Sequence, residues 1–429
     1  MTEDFLHYVW KHRLFNAQIL KTTQNIPIHV ISSGVHNMNG GPDFLQARVR
    51  LGDELWVGNV EIHIKASHWH QHGHGADHHY KNVVLHVVYE NDAPVHLHQP
   101  GDLPVLVLAP YIHEEQWSRY QQWMRHGKGI PCSAQVNEID DLLWHSFRDV
   151  LLVERLEQKS QLVLRQLKKC NGDWNEVFYR LMARQFGGKV NADMMELLAE
   201  RIPYAMVLKL RSDPFQVQAL FYGEAGLLDE THQDDYPKEL WKEYTFLRQK
   251  HRLPPPSKYA WQFFGLRPSG FPTIRIGQLV DLLCKGEGLL QQILELSEVH
   301  DLKKMYACQA PEYWNTHTMF DRPRQKSLPV SQGIRAGADF VHGVLINVVT
   351  VMLFGYGRHV DDGFCLQRAI LLQEQMEVED NKIIRMWARL GVKAQHAADA
   401  QAMIQLNNQY CEQKRCLECR IGVKILKGE

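Results

Sequence analysis

Residues 40–65 read GGPDFLQARVRLGDELWVGNVEIHIK, and this stretch decides the fold. The turn formers Asn39, Gly40, Gly41 and Pro42 lead into a run with Leu45, Ala47, Val49 and Leu51 on one face. That alternation predicts a strand over 43–51. Gly52, Asp53 and Glu54 make a short hairpin loop. The return strand, 55–65, turns Val60, Ile62 and Ile64 one way and Glu61, His63 and Lys65 the other. Asp43 opens one strand and Glu61 lies on its partner, so the hairpin draws two carboxylates together.

Working outward, Phe5, Leu6, Val9, Trp10, Leu14 and Ala17 recur at helical spacing, with Thr2 as cap and Glu3 and Asp4 in the first turn. A strand is expected over 26–35. After the hairpin, the polar stretch 68–81 turns helical towards its end. Val83-Val84-Leu85-His86-Val87-Val88-Tyr89 then suits an interior strand covered on both faces. The order up to residue 90 is therefore α-β-β-β-α-β.

Beyond residue 139 the strand signals fade. Amphipathic runs over 142–168, 174–185, 192–209, 276–298, 366–375 and 381–390 predict helices, with Pro203 breaking the third. The expected organisation is α+β: an α/β domain over 1–125, a helical domain over 126–404, and a Cys-rich tail over 405–429 packed back on the helical domain.

A net charge of −1 excludes a general basic coat, so nucleic-acid contact would need a local patch. No window reaches eighteen apolar residues, and 341–354, interrupted by His342, Gly343, Asn347 and Thr350, reads as a buried helix rather than a membrane span. The N-terminus lacks a signal-peptide pattern. Eight cysteines then point to reduced thiols or metal ligands in a cytoplasmic protein. Twelve of the 24 histidines fall between His29 and His98. Imidazoles there would serve as metal ligands or proton carriers, or simply coat a surface.

Asp43 and Glu61 offer hard oxygens to Mg²⁺ or Mn²⁺, and His63 shares the Glu61 face. Without a metal, Asp43 would cap the turn after Pro42, and Glu61 and His63 would line a solvated strand face. The pattern Pro42-Asp43, a spacer, then Glu61-Ile62-His63 on an αβββαβ scaffold resembles the restriction-endonuclease-like PD-(D/E)xK nucleases. The resemblance implies a metal-dependent nuclease acting on DNA or RNA. Asp43, Glu61 and the Ile62 carbonyl would be the metal ligands. His63 stands where those nucleases carry lysine, either as base or as ligand, and Lys65 is the candidate for the missing cation. A catalytically inactive nuclease fold that binds nucleic acid or protein is the alternative.

The run His72-Gly73-His74-Gly75-Ala76-Asp77-His78 is similar to the metallo-β-lactamase pattern, offset by one residue before Asp77. It would make a zinc hydrolase on His72, His74 and Asp77. Arg267, Arg275 and Lys258 are candidate phosphate contacts, and Trp56 and Trp69 candidate base-stacking residues.

Cys411, Cys416 and Cys419 lie within nine residues and have the spacing of a zinc or iron–sulfur site. Cys132 is the expected fourth ligand, with Cys308 and Cys365 as alternatives; Lys414, Arg415 and Arg420 would lower the thiol pKa values. The arrangement resembles the iron-staple nucleases, whose cysteines clamp a [4Fe–4S] cluster. Across nearly its full length the chain also resembles an uncharacterised bacterial domain-of-unknown-function family. That likeness rests on Gly40–Phe44, Gly58–His63, Val84–Val88, Gly265–Pro268 and Cys411–Gly422.

Overall fold

Thr2 starts the first helix as the sequence predicts: its Oγ1 accepts from Phe5 N at 3.4 Å, and α1 runs Glu3–His12 until Arg13 turns left-handed. The computed structural model describes residues 1–16, 20–95, 103–255, 259–296, 298–324 and 334–428. They form two units, Met1–Phe147 with Leu406–Glu429, and Arg148–Gln405. Together they make a mixed α+β protein.

In the first unit, β1 (Ile28–Ser32), β2 (Val35–His36), β3 (Phe44–Leu51), β4 (Glu54–Lys65), α2 (His68–Gln71), β5 (Val83–Glu90) and β6 (Val105–Val107) follow α1. The sheet order is β1-β3-β4-β5-β6, with β2 also on β3. β3 and β4 are antiparallel, while β4, β5 and β6 run parallel. Trp69, Tyr80, Val83, Val88, Val95, Leu103 and Val105 fill the core beside them.

The hairpin departs from its expected alternation in one place. Gln46 has φ of 56° and the register shifts between Phe44 and Ala47. That bulge puts Phe44, not Leu45, on the buried face with Ala47, Val49 and Leu51. It also turns the start of β3, where Asp43 sits, towards β4. In β4 the residues Val60, Glu61, Ile62 and His63 are all buried, so both faces of the strand are covered. The solvated face expected of a metal-free strand is thus ruled out by burial.

The Cys-rich tail belongs with the first unit, not with the helical block. The helix Arg420–Lys427 buries Ile421, Ile425 and Leu426. Tyr8 Oη donates to Val423 O at 3.3 Å, and Arg119 Nη1 of α3 (Glu114–Arg125) donates to Ile425 O at 2.7 Å. The apolar face of that last helix finds its partners on α1 and α3, which explains the difference. Residues 126–147 likewise stay with the first unit.

The second unit is mainly helical, with two small two-stranded sheets among residues 309–335. α4 (Asp141–Lys169), which starts in the first unit, and α5 (Trp174–Phe186), α6 (Gly188–Arg201) and α7 (Tyr204–Leu210) match the amphipathic runs, and Pro203 separates the last two. The helix expected over 276–298 is instead interrupted at Gly286. Ala338–Val360 is long and apolar enough to cross a membrane by length and composition, yet 67% of that window is buried.

Within this unit Lys159 Nζ donates to Asn347 Oδ1 at 2.8 Å and Gln401 Oε1 at 3.1 Å. Burial, with Arg155 beside it, pulls this amine from 10.5 down to about 7. The unfolded chain then holds a proton that the folded chain releases between those values, so stability rises with pH across about 7 to 10.5. Lys159→Met is expected to flatten that rise in thermal melts at pH 6.5 and 9.5; an unchanged slope would assign it to other groups.

Candidate metal centre

The bulge at Gln46 and the turn at Pro42 bring Asp43 against β4. Asp43 Oδ2 accepts from Ile62 N at 2.8 Å, and Glu61 Oε2 accepts from Asp43 N at 3.1 Å. These reciprocal bonds lock both carboxylates at the mouth of the β3–β4 pair. Ile62 itself enters through that amide, with its side chain fully buried.

Histidines close on the carboxylates from two sides. α1 presents Glu3 and His7 one turn apart, and His7 Nε2 lies 3.3 Å from Asp43 Oδ2. From the other side, Glu61 Oε1 lies 3.4 Å from His63 Nε2 and 3.2 Å from His74 Nε2. Among the described residues, the ligand atoms of Glu3, His7 and Asp43 lie within 4.8 Å of one another, as do those of His63, His72 and His74. The Nε2 atoms of His7 and His74 are buried and make no hydrogen bond of good geometry, although each faces a carboxylate oxygen. Buried ring nitrogens that converge on carboxylates without a well-formed hydrogen bond are an arrangement a cation resolves.

Burial, reinforced by the Asp43 charge, pushes Glu61 up to about 9. Burial, reinforced by the neighbouring imidazoles of His86 and His74, drags His63 down to about 2. His74 is lowered for the same first reason, whereas at His7 the Asp43 carboxylate outweighs burial and raises it. Metal-free, the neutral forms of His63 and His74 are favoured beside a Glu61 carboxyl that keeps its proton, whereas Asp43 favours the protonated form of His7. His63 is not a cation that stands in for lysine.

His63 Nδ1 is 2.9 Å from His86 Nε2 on β5, in the register where Glu61 faces His86. One nitrogen donates and the other accepts, so the tautomers of the two rings are tied to each other. With His63 Nδ1 as donor, its Nε2 carries a lone pair towards Glu61 Oε1. His86 thus holds the His63 ring in place, and would be an outer partner to any metal bound there. His86→Phe is expected to weaken metal affinity about 10–100-fold by titration calorimetry, as loss of such partners does; an unchanged affinity would remove His86 from this role.

Other sequence candidates fall outside the cluster. Lys65 Nζ pairs with Glu90 Oε2 at 3.7 Å and is half exposed at the end of β4. The run 72–79 divides: His72 and His74 join His63, while Asp77 accepts from His79 N and stands exposed with His78 and His79. The expected set of His72, His74 and Asp77 is therefore not assembled. Trp69 is fully buried in the core and so unable to stack on bases. Arg275 lies over the Phe340 ring at 3.8 Å and belongs to the second unit, as does exposed Arg267; Lys258 lies outside the described residues.

Sequence reasoning misses Glu3, His7 and His86. Glu3 is legible only as a capping acid. His86 does leave a signal, as the lone polar residue within Val83–Val88.

A mixed α+β protein with a buried centre of paired carboxylates and histidines is the class that these observations define. Residues 3–382 match the family model described as "Protein of unknown function (DUF2851)", and the chain belongs to that family. The tail with its three cysteines lies beyond the matched residues. No curated protein and no solved structure matches the chain.

Proposed function

We propose that this protein is a metal-dependent phosphodiesterase of nuclease type, acting on DNA or RNA. The observation that carries the reading is the convergence of Asp43 and Glu61, each bonded to the other's strand, with bare imidazole nitrogens aimed at both. The Pro42-Asp43…Glu61-Ile62-His63 pattern supports it by resemblance to PD-(D/E)xK nucleases, although the short strand β2 adds a fourth strand before α2 to the α-β-β-β-α-β order read from the sequence.

Asp43, Glu61, His7 and His74 would hold the ion, with Glu3 and His63 completing the shell. A ligand set this rich in imidazole suits Mn²⁺ better than Mg²⁺, which prefers oxygen alone. The bound ion would acidify a water and neutralise charge building on the phosphate. Glu61 and Asp43 supply the negative charge that holds it, and Ile62 N keeps Asp43 oriented. His72, exposed at the edge of the cluster, is placed to accept a proton from an attacking water. Arg48 and Arg50, on the exposed face of β3, are candidates for backbone phosphate contacts.

The test is direct. Metal-stripped protein is incubated with labelled single- and double-stranded DNA and RNA in Mn²⁺, Mg²⁺ or Zn²⁺. Cleavage is expected with Mn²⁺ and less with Mg²⁺. No cleavage of any nucleic acid with any of the ions sinks the reading, and leaves the inactive, binding form of the fold.

The three-histidine set favours one second reading, a zinc hydrolase, since catalytic zinc takes three protein ligands and an open position. Its ligands would be His63, His72 and His74, with Glu61 in the place first given to Asp77. Activity with Zn²⁺ above Mn²⁺ would select it.

A further inference from the structure

We infer that Thr316, His317 and Asp234 form a hydroxyl–imidazole–carboxylate relay, a second reactive centre that transfers acyl groups from esters to water. All three belong to the second unit, and no residue of the histidine–carboxylate centre enters the relay.

A short turn and the start of a helix build it. Glu312–Asn315 make one 3₁₀ turn, which leads into the small hairpin of His317–Met319 with Arg322–Pro323. Asp234 directly precedes the helix Asp235–His251, the place of a capping residue, yet its side chain caps nothing. Asp321 holds that segment instead. Its Oδ1 accepts from Gln233 N at 3.1 Å and Asp234 N at 2.9 Å, and its Oδ2 lies 2.6 Å from His232 Nδ1. The Asp234 carboxylate is thereby free to serve the turn. Its Oδ2 accepts from Tyr313 Oη at 2.5 Å and lies 3.2 Å from His317 Nε2.

Tyr313 fixes the imidazole as well as the carboxylate. Its ring stacks on that of His317 at 4.1 Å with an interplanar angle of 2°, and its Oη accepts from Asp321 N at 2.9 Å. The Asp234 charge favours a proton on the facing nitrogen of His317, Nε2. Nδ1 then keeps its lone pair, and Thr316 Oγ1 lies 2.8 Å from it. The hydroxyl has one proton and two acceptors in reach. Tyr313 O is the farther of them at 3.1 Å, and Nδ1 the nearer. Thr316 is exposed while the His317 side chain is only 18% exposed, so the nucleophile is open to solvent and its base is sheltered. A hydroxyl in reach of a base, with that base oriented by a third group, is the arrangement that activates a weak nucleophile.

Arg324 runs beside the same turn. Its N donates to Thr316 O at 2.7 Å, and its Nε to Trp314 O at 3.0 Å and His317 O at 3.1 Å. Nη2 is left buried without a partner. Held along residues 314–317, that spare cationic donor is of the kind that stabilises an oxyanion.

In the reaction, Thr316 Oγ attacks the ester carbonyl carbon as its proton passes to His317 Nδ1. The bond from that carbon to the alkoxy oxygen breaks, and the departing alcohol takes the proton from Nδ1. Water then attacks the acyl-threonine, its proton returns through Nδ1 to Thr316 Oγ, and the carboxylic acid leaves. Asp234 faces the imidazolium in both halves.

Full-length protein in excess EDTA, which keeps the histidine–carboxylate centre free of metal, is mixed with p-nitrophenyl acetate. A burst of about one equivalent of nitrophenolate is expected, with acetyl on the tryptic peptide that carries Thr316. Thr316→Ser is expected to keep the burst, and Thr316→Val to lose both burst and label. Asp234→Asn is expected to slow the burst about a hundredfold, the lower end of what general-base assistance contributes. The wild-type burst and label do not depend on the variants folding. A wild type without a burst, acetyl found only on other residues, or an Asp234→Asn burst at the wild-type rate would overturn the inference.

Discussion

Glu61→Gln is expected to abolish Mn²⁺-dependent cleavage, by about a thousandfold or more, while making the metal-free protein more stable above neutral pH. The first effect follows from charge. An ion at this site offers several kcal/mol of transition-state stabilisation, and each 1.36 kcal/mol is tenfold in rate. Glutamine keeps the shape of Glu61 and can still accept from Asp43 N, but it cannot balance a divalent cation beside Asp43.

The second effect has the opposite sign because Glu61 is buried beside the Asp43 charge. In the folded, metal-free chain Glu61 titrates at about 9, against 4.5 when exposed. The folded form therefore holds a proton that the unfolded form has lost across that range. Stability on this account is full below about 4.5 and drains away as pH rises towards about 9. The substituted amide has nothing to titrate and escapes the loss. Thermal melts in chelator at pH 5 and 8.5, paired with cleavage assays, read both effects. Persisting cleavage in the variant would remove Glu61 from the reaction, and equal melts at pH 8.5 would show that Glu61 bears no charge cost there. Added Mn²⁺ is expected to raise the melting point of the wild type and leave the variant unmoved, since ligand binding to the native state alone is stabilising.

Much of this centre can be read from residues 40–65, because strand alternation and hairpin turns are local rules. Spacing alone places Asp43, Glu61 and His63, and the structure brings them within contact of one another. What escapes is what depends on non-local packing. His7 reaches Asp43 only because α1 lies across β4, and nothing in its own helix announces that. His86 meets His63 through a parallel pairing with a shifted register between Asn59 and Val60. Lys65 shares a strand face with His63 on paper, yet at the strand end its flexible stem swings to Glu90. The histidine-rich run reads as one ligand set, but a turn capped by Asp77 splits it. The tail follows the same pattern: its cysteine spacing is legible, and the helix Arg420–Lys427 with the surface it packs on is not.

Gly58→Ala, outside the ligand shell, is expected to harm both the sheet and the centre. Gly58 lies in β4 where the parallel ladder to β5 begins. A Cβ there would stand 2.4 Å from Val84 Cγ1 and 2.6 Å from Asn82 O. The valine could rotate away. The carbonyl could not, because Asn59 N already donates to it at 2.8 Å. The strands must then part at the first pairing step, and overpacking of this kind costs about 1–3 kcal/mol. Its reach is wider than stability, since the same ladder sets Glu61 opposite His86 and Val60 opposite Leu85. A shift of even part of a residue breaks the 2.9 Å bond that orients His63. The expected result is a lower melting point together with weaker Mn²⁺ binding in titration calorimetry at a temperature where the variant is still folded. A variant that melts early but binds metal normally would show that the ladder's start and the metal centre are mechanically separate.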